Sequence, residues 1–304
     1  MINVQKTFDE LKLQLQEKNF PLVGAVDFED ITSLYSAHGE HYQKWIENSY
    51  HGEMAYLSRG LERRLNPKLV FPKLQSGVVV ARPYPVQPVG NEKIRYSRYL
   101  NGVDYHESMK ADLDEVFLKS GFEYKVCVDT SAVLERSWAV FAGLGWIGKN
   151  TLLIHPQLGS YLFLGVVFID QPLHQPIQVL KDYCGNCEKC LQGCPTQAIV
   201  EPHQVDARKC ISYLTLEKRG DWNEPVNTAG FLAGCDLCQE VCPYNTKAVK
   251  NLSSTTVADY LLLEKEKLLN ETKEEYLNRV NGTALSRISY LDFKRNLNSV
   301  IKLF

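Results

Sequence analysis

Cys184-Gly185-Asn186-Cys187-Glu188-Lys189-Cys190-Leu191-Gln192-Gly193-Cys194-Pro195 decides how this chain is built. Its cysteines follow the C-x2-C-x2-C-x3-C-P spacing of bacterial ferredoxins, in which the fourth cysteine serves the other of two iron–sulfur clusters. A lone Cys210 comes next, then Cys235-x2-Cys238-x3-Cys242-Pro243. Eight of the nine cysteines thus fall within residues 184–242, and eight thiolates are what two [4Fe-4S] cubanes require. Three cysteines two residues apart can wrap one cubane, while the fourth, followed by proline, opens a helix that leads away from it. The spacing therefore assigns Cys184, Cys187, Cys190 and Cys242 to one cluster and Cys194, Cys210, Cys235 and Cys238 to the second. The displaced Cys210 leaves an insertion of about two dozen residues, with a helix expected through 211–218. Zinc sites use C-x2-C pairs, but the triple followed by Cys-Pro is not a zinc spacing.

The chain has 304 residues, 44% hydrophobic and 23% charged, enough for a large domain plus a smaller one. No apolar stretch reaches the roughly 18 residues of a membrane helix, and Met1-Ile2-Asn3-Val4-Gln5-Lys6 lacks the layout of a signal peptide. Cysteines kept as thiolates then point to a reducing cytoplasm. A net charge of −2 argues against a general nucleic-acid coat but permits a local basic patch.

Upstream of the cysteines, hydrophobic periodicity predicts helices over 3–18, 41–60, 104–120 and 133–142 and strands over 22–28, 78–81, 123–129, 152–155 and 161–169. Asp104-x-x-Glu107 reads as a capping box. The alternation gives an α+β layer domain over residues 1–175, a cluster domain over 176–250 and a helical region over 251–304. In that last region 257–270 and 273–280 are expected as helices. The second is started by the capping box Thr272-x-x-Glu275, and a final helix capped by Asp292 runs to about 302.

Clusters move electrons and do no bond chemistry. The other motif-like stretch is Val128-Asp129-Thr130-Ser131, then Glu135-Arg136, then Ala142-Gly143-Leu144-Gly145-Trp146-Ile147-Gly148-Lys149-Asn150. Three glycines in six residues let backbone approach a bulky ligand. Their order superficially matches a dinucleotide fingerprint but follows a helix and precedes a strand, the reverse of the required context. Asp129, at the end of an apolar strand, is either a general acid with its pKa raised by burial or a cap for the next helix. Cys127, a lone thiol in Val-Cys-Val, reads as a small buried hydrophobe.

These motifs resemble the epoxyqueuosine reductase (QueG) family, cobalamin-dependent enzymes of tRNA queuosine synthesis. The resemblance rests on Arg95-Tyr96-Ser97-Arg98-Tyr99 with Asp104-Tyr105-His106, on Asp129-Thr130 with Glu135-Arg136, on 142–150, and on the cysteine array. It implies a nitroreductase-like cobalamin-binding α/β domain, a ferredoxin-like two-cluster domain and the start of a HEAT-like helical tail, for which Arg287, Arg295 and Asn296 fit. It further implies two [4Fe-4S] clusters and base-off cobalamin, with Tyr105, His106, Arg136, Gly145, Trp146, Ile147, Gly148, Lys149, Asn150 and His155 around the corrin and Asp129 as proton donor. The implied reaction removes the epoxide oxygen of epoxyqueuosine in tRNA, with electrons from an external low-potential donor. Lys93, Arg95, Tyr96, Arg98 and Tyr99 fit RNA contact by phosphate pairing and base stacking, and Arg59, Arg63, Arg64 and Lys68 form a second basic group. A monomer with no membrane attachment suits docking to tRNA. A reductive dehalogenase-like enzyme acting on a small molecule, and a corrinoid-reducing electron carrier, are the alternatives.

Overall fold

The computed structural model describes residues 4–91, 93–222, 226–248 and 257–302; Met1–Asn3, and with them the first residue of the expected helix 3–18, lie outside the described residues. The first half folds as α1 (Val4–Glu17), β1 (Leu22–Asp27), α2 (Phe28–Glu47), β2 (Ser76–Pro83), α3 (Tyr105–Phe117), β3 (Tyr124–Cys127), α4 (Glu135–Phe141) and β4 (Leu162–Ile169). The strands form one sheet in the order β1-β2-β4-β3, antiparallel throughout.

The sheet is covered on both faces, which explains the near-continuous apolar run of β2. Side chains alternate across a strand, so Val78 and Val80 join Phe8, Leu15, Leu113 and Phe117 of α1 and α3. Val79 and Ala81 join Ile31, Tyr35, Trp138 and Phe141 of α2 and α4 on the opposite face. Gly24 is required where β1 crosses the loop after α4, because a Cβ there would lie 2.3 Å from the Ala142 carbonyl oxygen.

The helix expected over 41–60 is displaced. α2 begins at Phe28 and stops at Glu47, and short helices follow at Ala55–Arg59 and Leu61–Leu65. The break has a backbone cause: Ser49 and Gly52 take φ of 56° and 58°, outside the right-handed helical region.

Residues 86–100 leave the first sheet and join the far end of the chain. Val89–Gly90 pairs with Arg95–Tyr96, which pairs in parallel with Phe231–Ala233. Ile94, Tyr96 and Leu100 share a core with Leu232, Tyr276, Phe293 and Leu297. That core is closed by α5 (Ile211–Leu216), α6 (Lys273–Val280) and α7 (Tyr290–Lys302). Thr272 and Glu275 form the expected capping box of α6. The expected helix 257–270 is only a single turn at Asp259–Leu261 followed by Lys265–Asn270. Asp292 does not cap α7: the Ser289 hydroxyl accepts from the Asp292 N–H at 3.1 Å and donates back to its carboxylate at 2.7 Å. Asn296, fully buried on α7, donates to the carbonyls of Thr215 (2.8 Å) and Leu232 (3.0 Å) and so fastens the last helix to α5 and the small sheet.

Candidate active site

All nine cysteines are free. Cys184, Cys187 and Cys190, with Cys242 from about fifty residues downstream, line one cavity of about 250 Å³ together with Lys149, Asn150, Tyr183 and Tyr244. Burial pushes the Cys190 and Cys242 thiols up, and their neighbours add to this, Cys184 and Cys242 acting on Cys190 and Cys187 on Cys242. The other four make a second group by the same sign: Cys210 is raised by burial and then by Cys194, and Cys235 and Cys238 by burial and then by Cys210. Among the described residues no three His, Cys, Asp or Glu side chains converge on a single metal ion. Two sets of four thiols, one lining the cavity and one grouped around Cys210, suit two cubanes. The sets adjoin, since Cys190 is among the charges acting on Cys238.

The glycine-rich loop borders the first set. Gly145 and Gly148 allow a close internal approach: Cβ atoms there would lie 2.4 Å from the Ile154 carbonyl oxygen and from Ile154 Cδ1. These contacts hold the hairpin Trp146–Ile147/Leu153–Ile154. Trp146 is buried and packs edge-on against Tyr183 and Tyr244. Lys149 and Asn150 reach the cysteine cavity. His155 accepts the N–H groups of Gln157 and Leu158 on Nδ1, which shapes a turn.

Asp129 stands at the opposite end of β3. Its φ of 53° and the 2.5 Å hydrogen bond from Thr130 N to the Val128 carbonyl make a tight three-residue turn, a sparsely populated backbone conformation. Asp129 does not cap α4, whose N-terminus has no side-chain cap. Its Oδ2 lies 2.9 Å from His106 Nε2, and His106 Nδ1 lies 2.5 Å from Asp104 Oδ1. Asp104 also caps α3 through the His106 N–H, at 3.0 Å, while the second half of the expected capping box is not made: Glu107 faces solvent near Lys110. Burial opposes ionisation of Asp104, but the hydrogen bonds and charge of His106 prevail and hold its pKa below the usual value. An ionised Asp104 only accepts, so Nδ1 carries a hydrogen, and a second hydrogen must bridge Nε2 and Asp129 Oδ2. The Asp129 pKa is likewise lowered, with burial again outweighed by His106, helped by Arg287 and Arg136.

His106 is therefore a buried partner of Asp129, 3% exposed. Asp129 itself is 59% exposed at the side chain. Around it stand Tyr99 and Tyr105, edge to face at 6.3 Å, with Tyr105 stacked on Phe163 at 4.0 Å. Exposed Arg136 and Arg287 and half-buried Glu217 complete the group. Arg136 donates Nη1 to the Thr151 carbonyl at 2.5 Å. Asp129 thus lies at an accessible position among aromatic and charged side chains. Cys127, behind it, is fully buried, as a small hydrophobe should be.

The segment expected to meet RNA is largely internal. Tyr96 is buried against the C-terminal core. Arg98 is buried and donates to the Val86 carbonyl (2.8 Å), Asp236 (3.1 Å) and Glu240 (2.7 Å). Burial corrects the expectation of RNA contact for these two side chains. Arg95 holds both Glu240 oxygens, at 2.7 and 2.9 Å. Tyr99 is half-buried on the Asp129 side, and Lys93 is exposed. In the second basic group Arg64 is buried, while Arg59, Arg63 and Lys68 are exposed. Sequence reading missed Asp236: set between Cys235 and Cys238 and wholly buried, it accepts from Ser97 Oγ at 2.5 Å and Arg98 N at 2.8 Å. Its position inside the cysteine run was the available signal.

Residues 183–245 match the 4Fe-4S double cluster binding domain, and residues 64–130 match the family described as epoxyqueuosine reductase QueG, DUF1730. An epoxyqueuosine reductase of Cyclobacterium marinum is 38% identical over 273 residues, 85% of this chain and 86% of that protein. One from Pseudomonas aeruginosa is 36% identical over 93% of this chain and 81% of its own. A solved epoxyqueuosine reductase with a tRNA-Tyr epoxyqueuosine-modified tRNA stem loop superposes with a TM-score of 0.80 at 27% identity, covering 98% of this chain and 82% of that one. A Bacillus subtilis epoxyqueuosine reductase whose aspartate catalytic loop is swung out of the active site superposes at 0.81, with the same identity and coverage.

Proposed function

This chain belongs to the epoxyqueuosine reductase family, and we propose that it reduces epoxyqueuosine to queuosine at the wobble position of tRNA. Two electrons and two protons enter, both carbon–oxygen bonds of the epoxide break, a carbon–carbon double bond forms and the oxygen leaves as water. The observation that carries this reading is the accessible Asp129 carboxyl backed by His106 and Asp104 in a chain with two four-cysteine sets. An alkoxide is a poor leaving group, so a proton must meet the oxygen as its bonds break. Asp129 takes up the hydrogen it shares with His106 Nε2 and passes it to that oxygen. Asp104 keeps the imidazole oriented.

The aromatic and charged side chains around Asp129 suit a flat, amide-fringed macrocycle. Tyr105, Arg136 and the neighbouring Tyr99 and Arg287 would hold base-off cobalamin, which supplies the two-electron nucleophile that no side chain here can provide. Toward electrons, the chain's part is to keep two thiolate sets adjacent. The first set opens at the surface beside Tyr183, 43% exposed, which supports it as the side facing an external low-potential donor. The second, with Cys238 against the buried Asp236, is the inner set. We assign the catalytic, cluster and helical parts to residues 1–175, 176–250 and 251–304, with 86–100 packed onto the last of these. We assign phosphate contact to the exposed Lys93, Arg59, Arg63 and Lys68. Among the described residues no helix is long and apolar enough to cross a membrane, which supports a cytoplasmic enzyme; we take it to act as a monomer.

The test is anaerobic turnover of tRNA bearing epoxyqueuosine, with cobalamin and reductant, read as the loss of one oxygen mass. Asp129→Asn should lower kcat about 10²- to 10⁴-fold with cobalamin binding intact. No mass change with the unaltered protein removes the activity, and full turnover by Asp129→Asn removes the acid.

A further inference from the structure

The reaction proposed above consumes two protons, and the Asp104–His106–Asp129 chain can pass on only one without reloading. Asp104 already occupies His106 Nδ1, and a single hydrogen bridges Nε2 to Asp129. A second proton needs a second store near the same oxygen.

We propose that Glu135 is that store: the half-buried side chain, at the start of α4 behind Asp129, carries the second proton and returns it through Asp129 as the oxygen leaves as water. Four observations point there. Glu135 opens α4, six positions beyond Asp129 and across the tight turn. Its Oε1 is buried and has no hydrogen-bond partner. The adjacent Arg136, which would ordinarily neutralise it, instead directs Nη1 to the Thr151 carbonyl and hydroxyl. Arg64, the other cation in range, is itself buried with Nη1 unpartnered. A carboxylate left unpaired at such a place is costly, whereas the neutral acid is tolerated. The charged and titratable groups facing it are Asp129, Arg136 and Arg64, with Tyr35, Tyr42 and Cys127 around it. Burial pushes its acid up to about 8, and the charge of Asp129 adds to this against the two arginines. At neutral pH the group therefore still holds its proton, while Asp129 is held low.

The balance is complete. The external reductant supplies two electrons. The Asp129–His106 chain gives one proton and Glu135 the other, both go to the departing oxygen, and solvent reprotonates the two acids afterwards. Glu135 acts through Asp129 and is a positioning and proton-holding residue, not one that touches the substrate.

The experiment compares the unaltered holoprotein with Glu135→Gln and Glu135→Asp in single-turnover assays across pH 6–9.5, with cobalamin affinity followed by its visible spectrum. In the unaltered protein, kcat should fall as pH rises past about 8. Glu135→Gln should lower kcat about 10²-fold at neutral pH, leave KM and cobalamin affinity within twofold, and lose that falling limb; Glu135→Asp should recover part of the rate with a displaced limb. An unaltered protein that turns over while Glu135→Gln keeps the same limb and rate overturns the inference and leaves the proposed function standing. An unaltered protein that never releases the oxygen overturns both.

Discussion

Asp129 and Glu135 sit six residues apart in the chain, yet their surroundings push them in opposite directions. Asp129 is reached by solvent and bonded to His106; Glu135 has a sealed oxygen with no partner. Divergent environments for two nearby acids are how one site keeps one group charged and the other protonated. The same contrast has a consequence for stability. Glu135 is raised from 4.5 to about 8 in the folded chain, so between those values the folded state binds the extra proton and stability falls as pH rises. Asp104 and Asp129 are depressed, so their contribution is present above their unfolded value of 3.8 and is lost only as pH falls below it. Between pH 5 and 8 the slope is then set by Glu135 among these three. The melting temperature of the unaltered protein should decline over that interval and that of Glu135→Gln should decline less, measured in parallel thermal scans.

At the scale of elements, the glycine-rich hairpin couples the layered domain to the first cysteine set. Gly145 lies against the Ile154 carbonyl so closely that a methyl group would be 2.4 Å away, and backbone atoms cannot step aside as a flexible side chain can. Gly145→Ala should push the Trp146–Ile147 strand off its partner and shift Lys149 and Asn150 at the cavity. Overpacking of this kind costs about 1–3 kcal/mol. The expected result is a lower melting temperature together with loss of iron from the first set, read by iron analysis; full iron content with unchanged melting would refute the coupling. The loop's glycines were visible in the sequence as a motif. What they accommodate was not, because the neighbour that crowds Gly145 is a backbone oxygen nine residues away on the returning strand.

At the scale of the whole molecule, two long-range ties bring the halves together. One is the crossed cysteine pairing, in which Cys242 completes the first set and Cys194 the second. Cys242→Ala should therefore deplete the cluster of Cys184, Cys187 and Cys190, while Cys194→Ala should deplete the other, and electron paramagnetic resonance of the reduced variants should show two different residual signals. Identical residual spectra would mean that the pairing is not crossed. The other tie is the Ser97–Arg98–Asp236–Glu240 network, which clamps the 86–100 segment onto the peptide between Cys235 and Cys238. The Arg98–Asp236 pair is buried, where losing one partner leaves an uncompensated charge. The segment thus anchors the inner cysteine set to the rest of the fold.

The sequence by itself determined the two-cluster cofactor class and the layered nature of the first domain, because each depends on local spacing or periodicity. Only the tertiary structure decided that the basic and aromatic run at 95–98 turns inward to meet Asp236 and Glu240. A basic residue carries no local mark of whether its carboxylate partner lies about 140 residues downstream. The same holds for His106, whose place beneath Asp129 depends on α3 crossing the end of β3, and for Glu135, whose sealed oxygen is a property of what surrounds it.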